Sequence, residues 1–409
     1  MEIAIIGGGI AGLALAMNLQ SRGLGCRVYE SAPEIRELGV GITLLPHAMR
    51  ELAALGLDAG LMPLGIENEE SCFFNRFGQL IYGEPRGRFA GYSYPELGIH
   101  RGKLHAALFA AARERLGPGA VLTDHHCTGF EQDAEGVTVH FRSSATGEAR
   151  PAVAADIAVA CDGINSALRR QLYPEEGLAY TGINTWRGVT RRKPILTGRS
   201  YMRIGSIRTG KLVVYPIVDD VDGEGNQLIN WMAEIETGEA GRRNDWNKPG
   251  ALADFLPIYE SWTFDWLDVP QMMRDADTIL EYPMVDRDPV DRWTFGRVAL
   301  MGDAAHPMYP RGSNGAAQAA IDARTLAELL AAGGDAVAAL AAYEAARLPK
   351  ACNVVLANRR HPPDFINIRV EELTGDRPFD NLDDVITQDE LRALSDEYKR
   401  VAGFSLDDF

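Results

Sequence analysis

Three short stretches carry residues whose types and spacing suit chemistry. In the first, Gly7, Gly9 and Gly12 stand in the G-x-G-x-x-G spacing directly after the apolar run "EIAII". The first glycine permits a tight turn, the second lets backbone approach a pyrophosphate, and the third lets helix pack close on strand. Glu30 ends the next apolar run, "CRVYE". It lies roughly twenty residues on, where an acid accepts hydrogen bonds from a ribose 2′-hydroxyl and disfavours a 2′-phosphate. Strand, glycine turn, helix, strand and terminal acid together describe an adenine dinucleotide site, without distinguishing FAD from NAD.

The second stretch, "ADIAVACDGINSALRR", runs an apolar strand into Asp162, Gly163, Ser166 and Arg169. The third, "VALMGDAAHPMYPRGSNGAAQAA", stops on Gly302 and Asp303, passes Pro307 and Pro310, and enters an alanine-rich helix through Gly312, Asn314 and Gly315. A bare helix start, with roughly half a positive charge and unpaired N–H groups, suits a ligand that becomes negative. His306 sits in this loop and is expected to support the turn through a hydrogen bond rather than act as a base.

The second and third stretches resemble the fingerprints of the class A flavoprotein aromatic monooxygenases, the p-hydroxybenzoate hydroxylase type. Cys161 stands where that family usually has Ala or Gly. The resemblance runs to about Arg360, and "GINTWRGVT", "YPMVDRDP" and "GDAAHPMYPRGSNGAAQA" are most similar to the phenazine-acting branch that hydroxylates 5-methylphenazine-1-carboxylate. It implies bound FAD, held by Asp162, Gly302, Asp303 and Gly312 beside the first glycine turn, with Asp303 on ribityl hydroxyls. Arg101, in "IHRGKLHAAL", is implied to reach the cofactor; the other reading is a solvated cation at a helix start.

At the reacting ring the resemblance implies Pro310 as a rigid wall near C4a. It gives the helix start at Asn314 and Gly315 the task of stabilising charge at N1 and O2 of the reduced flavin. It also implies a transient NADH or NADPH donor, O2 as co-substrate, and a flavin C4a-hydroperoxide that hydroxylates a small aromatic substrate. Attack at a carbon bearing a carboxylate would expel carbon dioxide; attack elsewhere simply adds a hydroxyl. Two rivals stand beside this reading: a related flavoenzyme such as a halogenase or reductase, and a non-catalytic FAD-fold escort protein. Trp262 and Trp266 do not form the halogenase WxWxIP pattern.

The elements that position these residues are expected to form an α/β fold: a Rossmann-like FAD-binding domain with an inserted β-sheet substrate domain and C-terminal helices. The FAD-binding domain is assigned to 1–179 and 285–360, the β-rich substrate region to 180–284, and a helical tail to 361–409. Alternation in "INTWRGVT", "KLVVYPIV" and "QLINWMAEIE" suggests a sheet with one face packed and one free. Trp186, Tyr215 and Trp231 in those runs are candidate pocket walls, although such residues also serve as plain core. Arg187 is a candidate carboxylate fork or a surface ion-pair partner. The tail is expected to cover the fold or to contact a second copy, so monomer and homodimer both stand.

Composition bounds the partners. A net charge of −16 over 409 residues repels nucleic acid and anionic membrane surfaces. Five scattered cysteines without a CxxC pair argue against a disulfide framework or a zinc site and suit a reducing cytoplasm. The apolar opening lacks the basic start of a signal peptide, and no run reaches the roughly 18 apolar residues of a membrane span. No metal is expected.

Overall fold

The computed structural model describes residues 1–35, 39–238, 248–360 and 362–408. The two ends assigned to the tail, His361 and Phe409, lie outside the described residues.

Ile3–Ile6 forms the centre of a six-stranded sheet, with Arg27–Tyr29 and Ile157–Ala160 parallel on either side. Val298–Leu300 runs parallel beyond Ile157–Ala160, Val121–Leu122 beyond Arg27–Tyr29, and Thr294–Phe295 is an antiparallel edge. Every residue of Ile3–Ile6, Ile157–Ala160 and Val298–Leu300 is buried. Unbroken apolar runs of this kind suit strands covered on both faces. Helix Ile10–Ser21 packs between helices Arg101–Leu116 and Gly315–Ala331, and its small residues Ala11, Gly12, Ala14 and Ala16 permit the close approach.

A second sheet has eight strands in the order 248–249, 278–286, 179–192, 227–236, 210–218, 200–206, 70–74 and 80–85. The β-rich region therefore draws in Glu70–Phe74 and Leu80–Pro85, far upstream of residue 180, because Glu70–Phe74 pairs in parallel with Ser200–Ser206. Strand alternation sorts the side chains to two faces. One face buries Trp186, Met202, Leu212, Val214 and Trp231 against helices Leu252–Tyr259 and Val269–Arg274.

The other face presents Tyr201, Val213, Tyr215 and Met232. It meets the small antiparallel sheet of Gly41–Leu44, Gly65–Glu67 and Leu97–His100, where Gly41 N donates to Asn230 Oδ1 at 2.7 Å. The expected free face is thus absent: Ser200–Ser206 is buried at every position.

In the tail, helix Phe365–Thr374 and helix Gln388–Ala402 pack Ile366, Val370 and Leu391 onto Phe73, Ile81 and Tyr82 of the second sheet. Thr387 and Glu390 form a capping box at the start of the last helix. Among the described residues no helix is long and apolar enough to cross a membrane, and no cluster of His, Cys, Asp or Glu suits a metal ion.

Candidate functional site

The three glycine-bearing turns leave the C-terminal ends of adjacent parallel strands, Ile3–Ile6, Ile157–Ala160 and Val298–Leu300. Ligands of open α/β sheets bind at that edge. Gly7 adopts φ +106°, and a β-carbon there would collide with the Cys161 carbonyl, so the first turn runs against the second. A β-carbon at Gly12 would collide with the Gly7 carbonyl, whereas one at Gly9 would meet nothing within 4 Å. Gly9 is therefore the bare stretch of backbone. Glu30 accepts from Gly8 N and Ala32 N, both at 2.7 Å, which ties the end of the second strand to the turn.

The second turn is bound to the third by Arg169. Its Nη1 donates to the carbonyls of Ala304 at 2.9 Å and Ala305 at 2.7 Å, while Nε donates to Glu176 at 2.7 Å. Asp162 accepts from Ala167 N at 2.8 Å through Oδ2, and its buried Oδ1 has no partner among the described residues. Burial pushes this carboxyl above its ordinary range, opposed by Ser166 and the Ala167 amide.

Asp303 opens the third turn and remains exposed, although the surrounding bulk of the protein pushes its carboxyl up against the pull of His306 and Arg101. An acid deep in the fold yet open on one side is poised for hydroxyl donors. A β-carbon at Gly315 would stand 3.8 Å from Asp303 Oδ1, so carboxylate and helix start share one spot. Helices Ile10–Ser21 and Gly315–Ala331 both lack a side-chain cap and a first-turn acid. Their first N–H groups have no side-chain acceptor among the described residues.

The remaining named residues divide. Arg101 is exposed at the start of its helix, and Pro310 is exposed at the start of the turn Pro310–Gly312. Ser313 follows with φ +55°, a left-handed conformation that costs a non-glycine residue energy. The Asn314 side chain donates to Gly312 O at 3.1 Å and to the Tyr398 hydroxyl at 2.8 Å, and bonds His47 Nε2 at 2.9 Å. It is a scaffold for the turn, and the backbone is left to face a ligand. A β-carbon at Gly312 would overlap Tyr398 Oη, so the tail lies directly on this turn.

His306 Nε2 bonds Asp322 Oδ2 at 2.6 Å, and Asp322 also takes Arg347 Nε at 2.6 Å. Both side chains of the His306–Asp322 pair are buried, so this histidine braces the turn as the sequence suggests. Trp186 and Trp231 lie behind the second sheet: Trp186 stacks on Phe255 at 5.2 Å and Trp231 Nε1 donates to Thr190 at 3.0 Å. They are core and do not line the cavity on the other face. Tyr215 lies on that other face, stacked on Tyr201 with centroids 4.8 Å apart. Arg187 is part-buried and donates to Gly41 O at 3.0 Å.

Sequence reasoning missed Arg203. It is 4% exposed, donates Nη1 to Ser71 Oγ at 2.7 Å and lies over the rings of Tyr201 and Phe73, yet no carboxylate among the described residues pairs with it. With Thr43, Tyr201, Gly312 and Ser313 it lines an inner cavity of about 10 Å³ beside the third turn, whose other charged walls, Glu84, Glu96, Arg86 and Lys399, are paired among themselves. The only signal was a charged residue at an inward position of a β-strand, and that becomes visible once the strand's faces are known. These residues fit FAD: bare backbone at Gly9, an open acid at Asp303, an orphaned carboxyl oxygen at Asp162 and two uncapped helix starts meet at one edge.

Comparison with known proteins agrees with this geometry. The family described as FAD binding domain matches residues 1–249 and 265–358. Phenazine 1,6-dicarboxylic acid hydroxylase of Lysobacter antibioticus is 42% identical over 362 residues, covering 88% of this chain and 89% of that protein. A 3-amino-4-hydroxybenzoate 2-monooxygenase of Streptomyces platensis is 32% identical, covering 89% and 88%. The fold is also that of Klebsiella pneumoniae HpxO, solved with FAD and uric acid: TM-score 0.76 at 23% identity, over 99% of this chain and 95% of that one.

Proposed function

The chain belongs to the FAD binding domain family, and from that premise we propose that it is an FAD-dependent, NAD(P)H-consuming monooxygenase acting on a carboxylated, phenazine-like aromatic ring. FAD held there would supply the redox chemistry, with hydride from a nicotinamide and O2 as the oxidant, so that one oxygen atom would enter the ring and the other leave as water. The observation that carries the reading is the meeting of the Asp303 carboxylate with the uncapped Gly315 helix start at the strand edge shared by the three turns.

Within that frame each residue has a task. Gly7, Gly9 and Gly12 admit the pyrophosphate to the start of helix Ile10–Ser21, and Glu30 and Arg101 hold the adenosine and phosphate side. Asp162, Gly302 and Asp303 take the ribityl chain. The backbone of Asn314 and Gly315 stabilises negative charge at the pyrimidine edge, and Pro310 with Gly312 bounds the reacting side. Arg203 supports the acid in the substrate: a buried cation without an anion is costly, and a ligand carboxylate is what would relieve it. Tyr215 and Tyr201 offer stacked faces beside it.

The test is a screen of phenazine, quinoline, pyridine and benzoate carboxylates against the FAD-loaded protein, with NADH and NADPH each as donor. An acid of the right class accelerates NAD(P)H oxidation and gains one oxygen in product mass; gain of oxygen with loss of the carboxyl marks attack at the substituted carbon. A colourless protein that takes up no FAD would instead favour the escort reading.

A further inference from the structure

A net charge of −16 works against an anionic substrate at long range, so a locally basic approach to the site has consequences. A groove of about 580 Å³ lies between the end of helix Ala336–Arg360, the start of helix Phe365–Thr374 and the last turns of helix Gln388–Ala402. That volume falls within the roughly 300–1,000 Å³ of small-molecule sites. Leu356, Phe365, Leu394 and Val401 supply an apolar lining wide enough to meet a flat ring. Arg360 and Arg400 stand on the same groove, exposed and without an acidic partner among the described residues, against a single lining acid, Glu397.

The groove adjoins the inner cavity. Pro363 and Tyr398 line both. The Tyr398 hydroxyl donates to Asn358 Oδ1 at 2.7 Å and accepts from Asn314 Nδ2 at 2.8 Å, which holds the ring across the boundary. The inner cavity, about 10 Å³, holds no more than one water. A ring therefore reaches Arg203 only after part of the cavity lining moves, and from the groove the residues in the way are Pro363 and Tyr398.

We propose that the groove is an outer binding site for the carboxylated aromatic substrate, where Arg360 and Arg400 meet the carboxylate before Tyr398 swings aside and passes the ring to Arg203. The proposal rests on the aromatic-acid reading above. It explains why two unpaired guanidinia flank an apolar groove on an otherwise acidic molecule, and why one tyrosine is shared between a wide outer space and a nearly closed inner one.

The experiment uses the FAD-loaded full chain, with phenazine-1-carboxylate as probe and phenazine as its uncharged counterpart, and follows the flavin spectrum on rapid mixing. In Arg360→Gln/Arg400→Gln the association rate for the carboxylate falls about tenfold and loses its dependence on salt, as removal of electrostatic steering predicts. Phenazine enters at the same rate in both proteins, and kcat at saturation is retained while KM for the carboxylate rises. Tyr398→Phe, which drops both hydrogen bonds, speeds entry of both compounds. If the wild-type protein responds to neither compound, the aromatic-acid reading falls and takes the outer site with it. If the wild type responds and the double variant matches it at every salt concentration, the outer site alone is overturned.

Discussion

The guanidinium of Arg169 donates one nitrogen to the backbone carbonyls of both Ala304 and Ala305. The two turns it joins are separated by more than a hundred residues of sequence, including much of the second sheet. The same group binds Glu176 with its other nitrogens, so the charge is buried but paired. Strand pairing brings the second and third turns side by side, and this one side chain pins them there with the fork geometry that only arginine has.

Arg169→Ala removes both pins and leaves Glu176 without its main partner. Breaking such a buried pair costs about 3–5 kcal/mol. Denaturant unfolding at neutral pH is expected to show that loss, and FAD to dissociate more readily from the fraction that folds. Arg169→Lys restores charge without the fork, so it is expected to recover only part of either property.

For Asp303→Ala the expected loss is in cofactor retention. Charge-assisted hydrogen bonds to hydroxyls contribute about 1.5–3 kcal/mol, or roughly 10- to 100-fold in the dissociation constant of FAD. Fluorescence titration of the FAD-free protein measures it. Unchanged affinity would remove Asp303 from the site.

Asp303 also predicts a pH effect on the FAD-free protein. Its carboxyl is pushed up in the folded state. A carboxyl whose folded pKa is raised favours the fold in acid, where it is protonated in both states, and opposes it once the pH rises through the folded value. Asp303→Asn is therefore expected to raise the melting temperature at pH 7 and to lose that advantage below about pH 3.9, the ordinary value for an aspartate. A variant less stable than wild type at pH 7 would contradict the assigned shift.

Arg203→Gln addresses the substrate. Loss of a buried charged contact to a carboxylate costs about 2–5 kcal/mol. The expected outcome is a large increase in KM for carboxylated rings and a small one for uncharged rings, with FAD content unaltered. Equal effects on both classes would show that Arg203 reads no acid.

Gly312→Ala places a β-carbon on the Tyr398 hydroxyl. The tail helix is expected to lift from the turn, with more NAD(P)H oxidised to hydrogen peroxide instead of product, because water reaches the site. Tyr398→Phe in the same chain removes the colliding oxygen and is expected to recover part of the coupling. Simple additivity of the two changes would mean that the residues do not touch.

The amino-acid sequence alone determined the local devices. Glycine at 7 and 12 reports where the chain closes on backbone, because a β-carbon at either would strike a carbonyl, and glycine at 9 reports a stretch left bare. Glycine at 315 reports an open start to the alanine-rich helix, and an isolated histidine in a loop reports a brace. Each of these is fixed within a few residues, so it is legible along the chain.

Only the tertiary structure decided which face each strand presents and what covers it. Trp186 and Trp231 read like Tyr215 in sequence, yet alternation turns the tryptophans to the back of the sheet and the tyrosine to the front, and nothing local says which side the helices cover. The pairing of Glu70–Phe74 with Ser200–Ser206 and the seating of Tyr398 on Gly312 join segments far apart in the chain. Such contacts depend on the whole core closing at once, which is why Arg203 became a candidate only when its strand had neighbours.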